Sequence, residues 1–142
     1  PKFSIVRYGN VCGSNGSVIP LFARLVKTNP GALPITHGEM DRFWLKLEEA
    51  VEFTFNCLNK MQGNELFIPN MPSFKILDLA KAFNCETYTV GIRPGEKIHE
   101  NLFTEDEQEK YNLYHLPKDS GSNDTWLGVG GIREYLKEMG HI

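Results

Sequence analysis

The stretch VGIRPGEKIHE, residues 90–100, sets Arg93, Glu96 and Lys97 around a Pro94–Gly95 turn directly after an apolar, strand-like run. Strand ends that lead into helix starts are where α/β proteins bind small ligands, because the helix N-terminus presents unpaired N–H groups there. An arginine in that place offers a planar fork suited to phosphate oxygens. Glu96 could accept from two ribose hydroxyls; the alternative is that Glu96 and Lys97 are first-turn helix residues, with Glu96 favoured by the helix dipole. A second arginine, Arg42 in PITHGEMDRFW, adjoins Phe43 and Trp44. Braced by aromatics it would present another phosphate fork; otherwise it covers Trp44 as a cation–π partner or pairs with Asp41. In RYGNVCGSNGS, Gly9, Gly13 and Gly16 let the backbone approach a ligand closely. Asn10 is a neutral donor suited to a sugar or phosphate, and the alternative there is a flexible loop before a helix.

Catalytic machinery is thin by comparison. The glycine spacing is not G-x-G-x-x-G, and neither G-x-S-x-G nor H-E-x-x-H occurs. A Tyr-Lys pair of the Y-x-x-x-K type is expected to be absent. Glu48–Glu49 reads as a solvated helix start, and His37, His99, His115 and His141 as structural or exposed groups.

The elements that must position these residues follow from periodicity. Residues 2–7, with Phe3, Ile5 and Val6, read as a buried strand. Ser17 is placed to cap a helix with apolar residues at Val18, Leu21, Phe22, Leu25 and Val26. LPIT and RFW read as short strands. Residues 47–61 read as a helix buried on Ala50, Val51, Phe55, Leu58 and Met61, ended by Gly63. ELFIP is a strand, ILDLAKAF a helix and ETYTVGI a strand. GEKIHENLF is expected to start a short helix with Pro94 near its first turn. YNLYHLP reads as a strand, KDSGSND as a polar loop, and the last helix covers about 132–139. Alternating strands and helices give an α/β or α+β class, and the short strands and long loops suit a lobe packed on something larger.

Length and composition bound the rest. The chain has 142 residues, enough for one domain with its own core. A net charge of −3 with signs mixed along the chain argues against a nucleic-acid partner or a membrane surface. No apolar run reaches the roughly 20 residues of a membrane span. Cys12, Cys57 and Cys85 are scattered, which points to reduced thiols, a cytoplasmic location and no metal site. The chain starts at Pro1, without Met, and runs straight into a strand-like segment; the expectation is a fragment, a processed chain or a truncated gene.

Taken in order, RYGNVCGSNGSVIPLF, LPITHGEMDRFWLKLEEAV, ELFIPNMPSFKILDLAKAF and VGIRPGEKIHE resemble the C-terminal half of the UDP-N-acetylglucosamine 4,6-dehydratases. These are extended short-chain dehydrogenase/reductases related to polysaccharide-biosynthesis proteins. SGSNDTWLGVGGIREYL is similar to the family's tail, with Gly128, Gly130 and Gly131 where the family has a Ser or Thr cap and acidic residues. The resemblance implies an α/β fold: the last Rossmann strand and loop at residues 1–13, and a nucleotide-sugar-binding lobe at 14–142. The NADP-binding domain of the family lies outside this chain. Arg42 and Arg93 are implied as a diphosphate clamp, Glu96 as the ribose acceptor and Asn10 as a contact to the sugar diphosphate. Val18, Thr36 and Met40 are implied to line the substrate, and Tyr8 and Val11 to lie near the nicotinamide in the full enzyme. That enzyme would oxidise C4 of the sugar with NADP, eliminate water across C5–C6 and return the hydride to C6. The expected partners are a UDP-sugar and either the missing Rossmann half or a second copy of the chain. A non-catalytic nucleotide-sugar module, or the same half of an epimerase or reductase, are the alternatives.

Overall fold

The computed structural model describes residues 1–114, 120, 121 and 123–142. The α/β class holds. Strand β1 (Ile5–Val6) is followed by α1 (Val18–Thr28), β2 (Ala32–Ile35), β3 (Asp41–Phe43), α2 (Leu47–Lys60), β4 (Glu65–Phe67), β5 (Ser73–Lys75), α3 (Ile76–Ala82), β6 (Glu86–Thr89), α4 (Glu105–Lys110), β7 (Asn112–Tyr114) and α5 (Val129–Glu138). Among the described residues the strands form three small sheets: β1-β4-β7, all parallel; β2-β6, parallel; and β3-β5, antiparallel.

Two apolar clusters hold these sheets together. Phe22 of α1, Leu33 and Ile35 of β2, Leu79 of α3 and Ile132 and Leu136 of α5 form the first. Phe43, Leu66, Ile68 and Met71 form the second, under the β1-β4-β7 sheet. Strand β3 is the seam between them. Phe43 packs into one cluster, while Met40 and Trp44 pack into the other. Trp44 meets Phe74 and Tyr135 edge to face, at 5.1 and 4.9 Å between ring centroids. Each such fully buried side chain contributes on the order of 2 kcal/mol.

The seam also positions the loop after β1. Cys12 N–H donates to the Leu45 carbonyl at 2.9 Å, so the loop is stitched to the chain just past β3. A Cβ on Gly9 would lie 2.5 Å from the Phe43 Cβ, so a side chain there would force the loop off the strand. On the other side of the first cluster, Val90 N–H donates to the Ile35 carbonyl at 2.8 Å and extends the β2-β6 ladder. Gly91 (φ 89°) then turns the chain toward Arg93.

Several expectations are corrected. The helix expected from GEKIHENLF does not form. Pro94–Gly95 makes a turn with Gly95 at φ 84°, and the Ile98 carbonyl accepts from Asp41 N–H, pinning the segment to β3 instead. The helix comes later, as α4, where Thr104 accepts from Glu107 N–H in a capping box. Helix α2 buries Ala50 and Cys57, but Val51, Phe55 and Leu58 are exposed. Of the expected 2–7 strand only Ile5–Val6 is regular strand, flanked by backbone bonds at Phe3 and Arg7 to the β4 segment, and Phe3 is exposed. Strand β5 was not expected; three residues are too few to show a period, and pairing with β3 defines them. Helix α5 starts at Val129, so Gly130 and Gly131 lie inside its first turn. Of the expected YNLYHLP strand, Asn112–Tyr114 is β7; residues 115–117 and much of the KDSGSND loop lie outside the described residues. No helix among the described residues is long and apolar enough to cross a membrane.

Candidate functional site

The seven residues singled out as substrate-binding all line one cavity of about 300 Å³: Asn10, Val18, Thr36, Met40, Arg42, Arg93 and Glu96. Five separate segments deliver them. The loop after β1 brings Asn10, α1 begins at Val18, β2 ends beside Thr36, and the turn after β6 brings Arg93 and Glu96. Arg42 stands on β3 itself. Phe22, Phe74 and Ile76 give the cavity an apolar wall, the usual setting for a few convergent polar groups.

Arg42 is held by three contacts. Its Nη1 donates to the carbonyls of Asp41 (2.5 Å) and Ile98 (3.1 Å), and its Nε lies 3.1 Å from a Glu100 carboxylate oxygen. Its side chain is 13 % exposed. The bracing expected from Phe43 and Trp44 is not found, because those rings enter the two apolar clusters. Nor does the Asp41 carboxylate pair with Arg42; it takes His99 Nδ1 at 2.6 Å and the Ser120 hydroxyl. Arg93 is exposed and its side chain has no ion pair among the described residues. The helix N-terminus expected beside Arg93 is absent, so Arg93 stands on a turn rather than at a dipole.

Sequence reasoning missed one feature of the cavity wall. Ser17 does not cap α1: it makes no side-chain cap bond, and its Oγ is buried with no hydrogen-bond partner among the described residues. Ser17 and Gly16 instead line the cavity at the start of α1. The glycine-rich spelling GSNGS carried this signal, since a cap residue followed by a helix also presents free N–H groups to a ligand. Cys12 lies on the same wall, and burial pushes its thiol up to about 12.

The two residues expected near a nicotinamide separate. Val11 lines the same cavity, while Tyr8 lines a second hollow of about 290 Å³ with Arg7, Gly9, Glu100, Asn101 and Leu102; Asn10 borders both. The expected absence of a Y-x-x-x-K spacing needs one correction: Tyr114 and Lys118 have it. Tyr114 ends strand β7, and Pro117 inside the motif cannot continue a helix that would stack the two side chains; Lys118 lies outside the described residues.

Residues 1–117 match the family profile described as polysaccharide biosynthesis protein. Over 108 residues, 75 % of this chain, the sequence is 46 % identical to a UDP-N-acetylglucosamine 4,6-dehydratase (inverting) of Campylobacter jejuni, and the match covers 32 % of that protein. An uncharacterized membrane protein, MJ1061, of Methanocaldococcus jannaschii is 38 % identical over 99 % of the chain and 50 % of its own length. A crystal structure of Pen from Bacillus thuringiensis superposes with a TM-score of 0.81 at 28 % identity, over 99 % of this chain and 50 % of that one. The chain thus spans a third to a half of the length of these relatives.

Proposed function

Since the chain belongs to the polysaccharide biosynthesis protein family, we propose that it is the UDP-sugar-binding part of a UDP-N-acetylglucosamine 4,6-dehydratase. In this reading residues 14–142 are the sugar-nucleotide lobe and residues 1–13 are the last strand and loop of a cofactor domain. The observation that carries it is the convergence of Asn10, Val18, Thr36, Met40, Arg42, Arg93 and Glu96, from five segments, on one cavity. The name of the Campylobacter jejuni relative supplies the substrate class.

The chemistry of the cavity suits a nucleoside diphosphate. Arg42 and Arg93 come from different elements and face a ligand of about −2 charge, a role in which a planar fork outperforms an ammonium. Arg42 is fixed and largely desolvated, so its attraction to phosphate is little screened. Glu96 is placed to accept from ribose hydroxyls, and the apolar wall takes the face of a base. The NADP of the parent enzyme would complete the site from outside this chain. Alone, the chain binds and orients the nucleotide sugar and does not turn it over.

Calorimetric titration with UDP tests the reading. Arg42→Ala and Arg93→Ala should each cost about 2–3 kcal/mol, or roughly thirty- to more than a hundredfold in affinity. Arg24→Ala, on an exposed face of α1, should leave affinity unchanged. Equal binding by both arginine variants and the parent chain would refute the assignment. Incubation with UDP-N-acetylglucosamine and NADP should give no 4-keto product; turnover would show that the chain does more than bind.

A further inference from the structure

Next to Arg42 lies a polar cluster built on the buried Asp41 and Ser120 and the half-exposed His99, none of which lines the candidate cavity. The Asp41 carboxylate is 2 % exposed and has no Lys or Arg partner among the described residues. One oxygen takes His99 Nδ1 at 2.6 Å, and the other takes the hydroxyl of the fully buried Ser120. Ser120 Oγ in turn accepts from Glu100 N–H at 2.8 Å, and Ser120 N–H donates to the Glu100 carbonyl at 2.9 Å. Asp41 N–H donates to the Ile98 carbonyl at 3.1 Å. Three segments are therefore sewn together at one carboxylate: β3, the 98–100 stretch, and the chain at Ser120.

The set contains a serine, a histidine and an aspartate, but it is not a nucleophile and its base. Asp41 stands in the middle, and the Ser120 hydroxyl donates to it rather than to His99, so no imidazole is placed to take the hydroxyl proton. A buried carboxylate without a cation is costly unless its lone pairs are filled. Here they are filled by two donors that come from elsewhere in the chain. The carboxylate accepts only if His99 carries a proton on Nδ1, which both the neutral Nδ1–H tautomer and the imidazolium provide.

What this cluster holds is the binding face. The Ile98 carbonyl and the Glu100 carboxylate, on either side of His99, are the two groups that fix Arg42 besides the Asp41 carbonyl. The same loop carries Arg93 and Glu96. Gly121 makes the closure possible, since a Cβ there would lie 2.5 Å from His99 Nδ1.

We propose that Asp41, His99 and Ser120 are positioning residues, a latch that locks the 93–100 loop onto β3 and so brings Arg93 and Arg42 to bear on the same diphosphate. This rests on the nucleotide-sugar reading above. The latch acts on the geometry of the arginine pair and touches no ligand itself.

His99 offers a clean test, because the amide nitrogen of asparagine occupies nearly the place of imidazole Nδ1, while alanine leaves Asp41 short of a donor. UDP and uridine affinities are measured by calorimetry for the parent chain, His99→Ala, His99→Asn and Ser120→Ala. Amide hydrogen exchange over residues 96–100 is followed in parallel. His99→Ala and Ser120→Ala should bind UDP about tenfold more weakly, the loss of one charge-assisted hydrogen bond's worth of order. His99→Asn should stay within about twofold of the parent. Uridine, which has no phosphate, should be bound alike by all four. Exchange at 96–100 should speed up in His99→Ala and Ser120→Ala and not in His99→Asn. Parent-like UDP binding by His99→Ala, or a His99→Asn as weak as His99→Ala, overturns the latch. If the parent chain binds no UDP, the nucleotide reading fails separately, and the exchange data alone then judge the latch: unchanged exchange in both His99→Ala and Ser120→Ala overturns it.

Discussion

Arg93 and Glu96 hold one another through the backbone: Arg93 N–H donates to the Glu96 carboxylate at 3.1 Å, and Glu96 N–H donates to the Arg93 carbonyl at 3.0 Å. The turn between them, with Gly95 at φ 84°, is thus closed at both ends. One carboxylate oxygen of Glu96 is used for the turn, and the other remains for a hydroxyl. An amide can perform both acceptances only through its single oxygen. Glu96→Gln should therefore weaken UDP binding by a few-fold at most, about 1 kcal/mol, while Glu96→Ala should loosen the turn and approach the loss seen in Arg93→Ala. Calorimetry on the three variants orders them; a Glu96→Ala indistinguishable from the parent would contradict this role.

Acid should unfasten the pair that ties the loop after β1 to α4. Arg7 holds the Glu107 carboxylate with two parallel bonds, Nη1 to Oε2 at 2.7 Å and Nη2 to Oε1 at 2.6 Å, and this pairing, helped by Thr104 N–H, lowers the Glu107 carboxyl to about 2. Its folded value lies below its ordinary value of about 4.3. The group's contribution to stability is therefore complete above that ordinary value and is lost as pH falls from about 4 through about 2. Melting temperature against pH should drop more steeply over this window in the parent than in Glu107→Gln. Parallel curves would mean that the pair adds nothing.

The three thiols should react in a fixed order. Cys12 and Cys57 are buried and their thiols are raised by burial, Cys12 to about 12, whereas Cys85 is partly exposed. Thiolate is the reacting species, so an alkylating reagent near pH 8 should modify Cys85 first and Cys12 only on unfolding. Peptide mass spectrometry reads the order directly, and early labelling of Cys12 would contradict the burial of that wall.

Helix α2 carries an uncovered apolar row: Leu47, Val51, Phe55 and Leu58 are all exposed, Phe55 to 63 % and Leu58 to 62 %. Beside it, Phe55 and Leu58 border a hollow of about 230 Å³ with Val6, Met61 and Phe67. Exposed apolar surface of this kind drives association. The chain alone should show a sedimentation coefficient that rises with concentration, and Phe55→Glu with Leu58→Glu should hold it monomeric. A parent chain that is monomeric at all concentrations would remove the expectation.

Much of this arrangement was legible in the sequence, for identifiable reasons. Helix α1 follows from its apolar stripe, and the seven residues that share the cavity follow from a resemblance spelled over four stretches of sequence. What was not legible depended on partners far along the chain. Asp41 reads as a neighbour of Arg42, yet its partners are His99 and Ser120. Ser17 reads as a cap, yet it makes no cap bond and instead borders a cavity that only the assembled fold defines. GEKIHENLF has a plausible helix start, yet backbone bonds to β3 win over local propensity. In α2 the apolar residues were read correctly and their burial was not, because periodicity shows which face is apolar and not what covers it.

The strand ladders have a consequence for how fast this chain acquires its shape. Ile5 must wait for Leu66, Ala32 for Glu86, Asp41 for Lys75 and Glu65 for Asn112. Among the described residues no strand is joined to its immediate successor by a hairpin, so each ladder demands the closure of a long loop before it returns any energy. Helices α1 and α2 can flicker into existence during synthesis, but no sheet can be completed until its distant strand emerges. The chain should fold slowly for its size, through a phase in which the helices exist and their apolar faces search for a floor not yet built.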